Sequence, residues 1–182
     1  MRVLIILEDP TLDQYIVKPI VERMMRELGR SARVDVLWDP WLSGIDHALD
    51  EGTIRDIVTD HPMVDVFILV VDRDCDRIAN EARVAQRGAD HGGKLIGCLA
   101  REEVEVWMLA LYGRLPVSWK VLRAECDPKE RYAEPFLAGR GWSMDVGRGR
   151  KRAMEALAGN WKRLVSRCPE IRDLQQRVAS RP

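Results

Sequence analysis

Two apolar runs of strand length, at residues 3–7 (Val-Leu-Ile-Ile-Leu) and 64–71 (Val-Asp-Val-Phe-Ile-Leu-Val-Val), constrain this chain more than any other feature. Both are rich in β-branched residues and lack the polar alternation of a half-solvated strand, so each reads as a strand buried on both faces. Such strands belong to parallel sheets covered by helices. The intervening sequence supplies those helices. Asp9 reads as an N-cap with Pro10 at the first helical position, and Ile16, Ile20, Met24 and Leu28 follow at helical spacing until Gly29. Residues 33–38 read as a second strand, 45–59 as a helix broken near Gly52, 76–90 as a helix and 94–100 as a fourth strand. A helix over 101–112 then carries Val104, Trp107, Met108 and Leu111 on one stripe. The alternation predicts an α/β fold, an open, mostly parallel sheet with helices on both faces and Rossmann-like topology, followed by C-terminal helices at 150–165 and 169–178. Residues 113–150, with Pro116, Pro128 and Pro135, read as loops around a short strand near Val121. The 182 residues make one domain, with a core over 1–113 and a loop-rich, helical extension over 114–182.

No run of 18 apolar residues exists, and the first apolar run reaches Glu8-Asp9 too soon for a secretion signal, so a cytoplasmic protein without a membrane partner is expected. Cys75, Cys98, Cys126 and Cys168 are scattered without a CxxC pair, which indicates neither a zinc site nor a disulfide framework. Charge is balanced overall but segregated. Residues 1–138 carry 18 basic and 25 acidic side chains, whereas residues 139–182 carry 11 and 4. An acidic body with a basic C-terminal segment suits a cation in one place and a polyanion in another, and equally suits a basic helix packed on an acidic surface.

The acids gather where parallel strands end, which is where open sheets of this kind bind ligands. Glu8 follows the first strand, and Asp72, Asp74 and Asp76 follow the third. Alternate residues of an extended segment point the same way, so Asp72 and Asp74 project together while Arg73 points elsewhere. If the first and third strands are neighbours, Glu8 joins them, and acids crowded in this way call for a divalent cation. Magnesium, with manganese as a substitute, is the expected ion, because it binds through one or two carboxylates and accepts phosphate oxygens. Glu8 or Asp9 alone would read as a helix cap, but three acids at alternating positions exceed what capping uses. A helix-loop-helix calcium site is excluded, since Arg77 and Arg83 stand where it requires Gly and Glu. Glu102, Glu103 and Glu105 are read as opening the next helix, where acids complement the helix dipole, and Glu103 and Glu105 are further candidates for a metal ligand or an orienting base.

Glu8 after a first strand with Asp72 and Asp74 after a third resembles the Toprim domain of topoisomerases, primases, overcoming-lysogenization-defect nucleases and small RNA maturases. Residues 7–11 (Leu-Glu-Asp-Pro-Thr), 71–74 (Val-Asp-Arg-Asp), 103–110 (Glu-Val-Glu-Val-Trp-Met-Leu-Ala) and 168–171 (Cys-Pro-Glu-Ile) resemble, more particularly, the small stand-alone Toprim-like proteins of bacteria and archaea, often encoded beside ATPases in defence or toxin-like cassettes. The resemblance implies magnesium held by Glu8, Asp72 and Asp74, with phosphodiester hydrolysis of DNA or RNA. Asp9-Pro10 replaces the glycine that many Toprim catalysts carry after the first Glu, so Asp9 becomes a candidate to share the ligand role.

Tyr15, Tyr112 and Tyr132 lack the context of a topoisomerase nucleophile, and the chain has no room for the zinc and helicase-contacting regions of a primase. The expected activity is therefore a magnesium-dependent nuclease. A phosphate track is read at Arg148, Arg150, Lys151 and Arg152, interleaved with Gly147 and Gly149. Lys151 is the expected transition-state cation and Lys129 a weaker candidate. Trp107 and Trp161 read as core, while Trp38, Trp41 and Trp142 read as loop residues that stack on bases or meet a partner. Two alternatives stand beside the nuclease: a non-enzymatic partner or regulatory subunit of an ATPase, and a DxD-type phosphatase or nucleotidyl-transfer enzyme. A homodimer is compatible with each.

Overall fold

In the computed structural model, which describes residues 1–73, 75 and 77–181 with 77–79 as backbone only, four strands form one all-parallel sheet. They are β1 (Arg2–Leu7), β2 (Arg33–Val36), β3 (Val66–Asp72) and β4 (Leu95–Ala100), in the order β2-β1-β3-β4. The chain therefore builds outward from β1 first to one side and then to the other. That reversal sets a switch point between β1 and β3, where the connections leave in opposite directions and a crevice opens beyond the carboxyl ends. The α/β class and the parallel sheet are as the alternation of the sequence predicts.

Helices cover both faces because the strands are apolar on both. Val3, Ile5 and Leu7 of β1 join Ile68 and Val70 of β3 in one core, while Leu4, Ile6, Phe67 and Leu69 join the other. The first core is closed by α1 (Pro10–Glu27), α5 (Glu105–Ala110), α9 (Leu157–Arg167) and α10 (Pro169–Ala179). The second is closed by α3 (Glu51–Asp60), which follows the short α2 (Ile45–Ala48), and by α4 (Arg77–Asp90). Trp107 and Trp161 are buried in the first core, as their helical spacing predicts.

Three local expectations are corrected. Around Val121 the chain forms a helical turn, α6 (Trp119–Leu122), instead of a strand, because Ser118 accepts the Val121 N–H at 3.3 Å and starts a helix that buries Leu122. The helix over 45–59 breaks at Leu49 and Asp50, not near Gly52, because Asp50 caps α3 by accepting the Thr53 N–H at 2.8 Å. Glu102 and Glu103 do not open a helix: α5 begins at Glu105, and Glu102 sits at φ 56 before it. The extension continues with a π-helical turn at Lys129–Ala133, α7 (Glu134–Ala138) and α8 (Arg150–Ala153). Among the described residues no helix is long and apolar enough to cross a membrane.

Candidate active site

β1 and β3 are neighbours, and their register fixes where the acids emerge. Leu7 pairs with Val70, and Asp72 pairs with Ala100 of β4, so Glu8 and Asp72 leave adjacent strands within one residue of the same level. The start of α1 lies beside them. Asp9 caps that helix by accepting the Thr11 N–H at 2.8 Å, which gives Asp9 the local role its sequence context predicts. One turn later Asp13 points inward and is only 6% exposed. Asp72 accepts the Val104 N–H at 3.0 Å, which ties the end of β3 to the segment before α5.

These acids share one field. Removal from water, followed by the charges of Asp13, Glu105, Glu8 and Glu103, holds the Asp72 carboxyl well above the usual carboxylate range. Asp13 is pushed up to about 8, first by burial and then by Glu105 and Asp9, with Lys129 opposing and Glu8 adding to the rise. Glu103 rises to about 7, again mainly through burial, although the Lys129 backbone N–H that it accepts pulls the other way. Carboxyls perturbed by burial and by one another in a single crevice mark it as a candidate functional site.

The three glutamates near α5 have separate partners. Glu102 is fully buried against Arg73, which also lies 3.9 Å from Glu81. Arg73 thus turns away from the direction of Asp72, as the period of a strand requires. Glu103 accepts the Lys129 N–H at 2.7 Å. Glu105 lies in a buried pair with Arg150, whose Nη2 is 2.6 Å from its Oε1. Asp74 and Asp76, both read from the sequence as metal ligands, lie outside the described residues. No protein-family model, curated protein or solved structure matches this chain. Among the described residues, no group of three or more His, Cys, Asp or Glu is disposed to hold a metal ion.

The cations divide differently from the sequence expectation. Lys129, partly buried at the start of the π-helical turn, faces the acids. Burial pulls its ammonium down, but Glu105, Asp13 and Glu103 more than reverse this and hold it above the usual lysine value, against Arg150. Lys151 is instead exposed on α8. Of the expected phosphate track, Arg150 faces the interior and Arg152 pairs with Asp145 at 3.0 Å over the Trp142 ring. Arg148 is exposed and, with Arg150, Glu130 and Glu134, lines an open pocket of about 440 Å³. Gly147 and Gly149 have a packing reason. Both adopt positive φ, and a Cβ at either would collide with the Tyr15 ring or with Trp142.

Asp13 and the acid-facing position of Lys129 are features of the site that the sequence pattern does not single out. An acid in a first helical turn reads as a dipole partner, and only the turn of α1 toward the β1–β3 crevice separates Asp13 from that ordinary role. A signal for it exists in hindsight: Asp13 falls at i−3 from Ile16 and at i−4 from Val17, on the buried face of α1.

The cysteine expectation is overturned. Cys75 and Cys126 form a disulfide with Cα atoms 5.6 Å apart, while Cys98 and Cys168 are buried free thiols. The spacing along the chain concealed this, because the loop after β3 and the segment after α6 meet only in the folded molecule.

Proposed function

We propose that this chain is a divalent-cation-dependent phosphodiester hydrolase of the Toprim type that acts on nucleic acid. The observation that carries this reading is the emergence of Glu8 and Asp72 from neighbouring strands, together with inward-facing Asp13, at the switch point of a parallel sheet. The donors are carboxylate oxygens throughout, the chemistry that suits magnesium or manganese. Glu8 and Asp72 would contribute to holding the ion, with Asp74 and Asp76 as further donors from the sequence pattern and Asp13 adding to the negative field around them. When bound, such an ion lowers the pKa of a coordinated water and offsets charge on the phosphate.

The chain's own groups account for the remaining demands. The Val104 N–H fixes the orientation of Asp72. Glu103, with its pKa raised to about 7, is matched to taking a proton from an attacking water at neutral pH. Lys129 stands beside Glu103 and Glu105, where a fixed cation offsets the charge that develops on phosphodiester oxygens. Arg148 and Lys151, both exposed, supply contacts to flanking phosphates. In this reading the protein works in the cytoplasm, where its polymer substrate is.

The test is metal-dependent cleavage of single- and double-stranded DNA and RNA by the purified protein, with Asp72→Asn as the control. Cleavage with Mg²⁺ or Mn²⁺ that the substitution removes supports the reading, and absence of both cleavage and cation binding overturns it. A second reading, a docking module for an ATPase, is favoured by Trp38 and Trp41, which are 49% and 52% exposed with ring centroids 6.2 Å apart. ATPase binding that survives Asp72→Asn in a protein that cleaves nothing would select it.

A further inference from the structure

The Cys75–Cys126 bond joins the two segments that flank the acids. Cys75 lies three residues beyond Asp72, and Cys126 three residues before Lys129. On one side the Cys75 N–H donates to Glu102 at 3.3 Å, and the residue sits at φ 54, a left-handed conformation that is costly for a residue with a side chain. On the other side Cys126 is exposed, and the segment it begins reaches the acids through the Lys129 N–H on Glu103 at 2.7 Å. The bond spans 51 residues of sequence, so its loss frees the two segments from each other without breaking any strand.

We propose that Cys75–Cys126 is a redox modification site, opened by a dithiol reductant, which governs whether the Lys129 segment stays against the acids. The proposal rests on the phosphodiesterase reading of that site. Exposed disulfides anchored on strained backbone are the reducible ones, whereas unstrained buried ones are structural. In a cytoplasmic protein a disulfide is more often a sensor than a staple. The exchange is confined to this pair. Cys98 and Cys168 are buried, and burial holds both thiols above their ordinary value, Cys98 at about 12, so neither supplies a competing thiolate.

The chemistry balances as a two-electron exchange. A thiolate of the reductant attacks the Sγ of Cys126, an exposed residue, the S–S bond breaks, and Cys75 leaves as a thiolate that takes up a proton. The second thiol of the reductant then closes its own disulfide and releases Cys126, which is protonated in turn. The protein gains two electrons and two protons, and the dithiol is oxidised to a cyclic disulfide. The oxidised protein is the competent form, because the bond keeps Lys129 beside Glu103 and Glu105. Reduction releases that segment.

The experiment compares the full chain before and after treatment with dithiothreitol. Thiol titration in denaturant should give two thiols before and four after. Reduction should lower hydrogen-exchange protection of the Lys129 amide about tenfold, because the segment then opens locally. Mn²⁺-dependent cleavage should fall by about the same factor, since a displaced cation no longer meets the developing charge. Cys126→Ser, at an exposed position, should behave as the reduced protein and ignore the reductant. Four thiols before reduction, unchanged Lys129 protection, or cleavage by the oxidised form that persists undiminished on reduction overturns the proposal. If neither form cleaves nucleic acid or binds Mn²⁺, the phosphodiesterase reading fails, and Lys129 amide protection alone decides whether the bond controls the segment.

Discussion

Arg150 donates from both Nε and Nη2 to one oxygen of Glu105, at 3.0 and 2.6 Å, with both side chains shut away from solvent. The pair joins the basic C-terminal segment to the helix that follows β4. It gives the charge segregation of the sequence a structural use, and it makes Arg150 a brace for the acid cluster instead of a surface contact.

Removal of one partner should be far worse than removal of both. Arg150→Ala leaves Glu105 as an uncompensated buried charge, at a cost of about 3–5 kcal/mol, whereas Arg150→Met with Glu105→Leu should regain most of the loss. Urea unfolding followed by tryptophan fluorescence checks this. Equal destabilisation by the single and double variants would contradict it.

Asp13→Asn should stabilise the cation-free protein at pH 8 while weakening its hold on Mn²⁺. The substitution removes a charge that burial and the charges of Glu105, Asp9 and Glu8 disfavour, and sites of this kind trade stability for function. Thermal unfolding with and without Mn²⁺ reads both effects. A less stable variant with undiminished Mn²⁺ stabilisation would place Asp13 outside the site.

Stability without cations should decline as pH rises from about 4 to about 8. Asp13 moves from an ordinary 3.8 to about 8 on folding, and Glu103 from 4.5 to about 7. Each holds more protons folded than unfolded across that interval, so stability is present at low pH and drains as pH climbs through the folded values. A fall in Tm on the order of 5 °C between pH 5 and pH 8 is expected, and it should shrink when Mn²⁺ is added or when Asp13 is Asn. Tm values rising over the same interval in all three samples would refute the assignment.

Lys129→Met should lower kcat about 100-fold or more, as loss of a preorganised cation does, with little change in KM. Lys151→Met, on the exposed face of α8, should act mainly on KM and on salt dependence. The reverse pattern would restore Lys151 to the catalytic role that its sequence context suggests.

The sheet was legible in the sequence because strands buried on both faces leave unbroken apolar runs, rich in β-branched residues, at 3–7 and 66–71. The rim was legible for a related reason: Glu8 and Asp72 end those runs, and parallel topology sends both ends the same way. What could not be read were relations between distant segments. Glu103 and Glu105 look alike in the sequence, yet one accepts the Lys129 amide and the other pairs with Arg150. The Gly147-Arg148-Gly149 turn looks like a phosphate cradle, although its glycines answer to Tyr15 and Trp142. The disulfide partners are likewise neighbours only after the rim has assembled.

The order of the sheet has a consequence for synthesis. β1 precedes both of its neighbours in the chain yet occupies an interior position, so its edges stay open until β2 and then β3 have been translated. The wait lasts longer for its outer layer. Arg177 of α10 reaches back to the Gly97 carbonyl at 2.6 Å, and Leu174 and Val178 seal the face over β4. A nascent chain stalled before α10 should therefore leave the apolar face over β4 open to water.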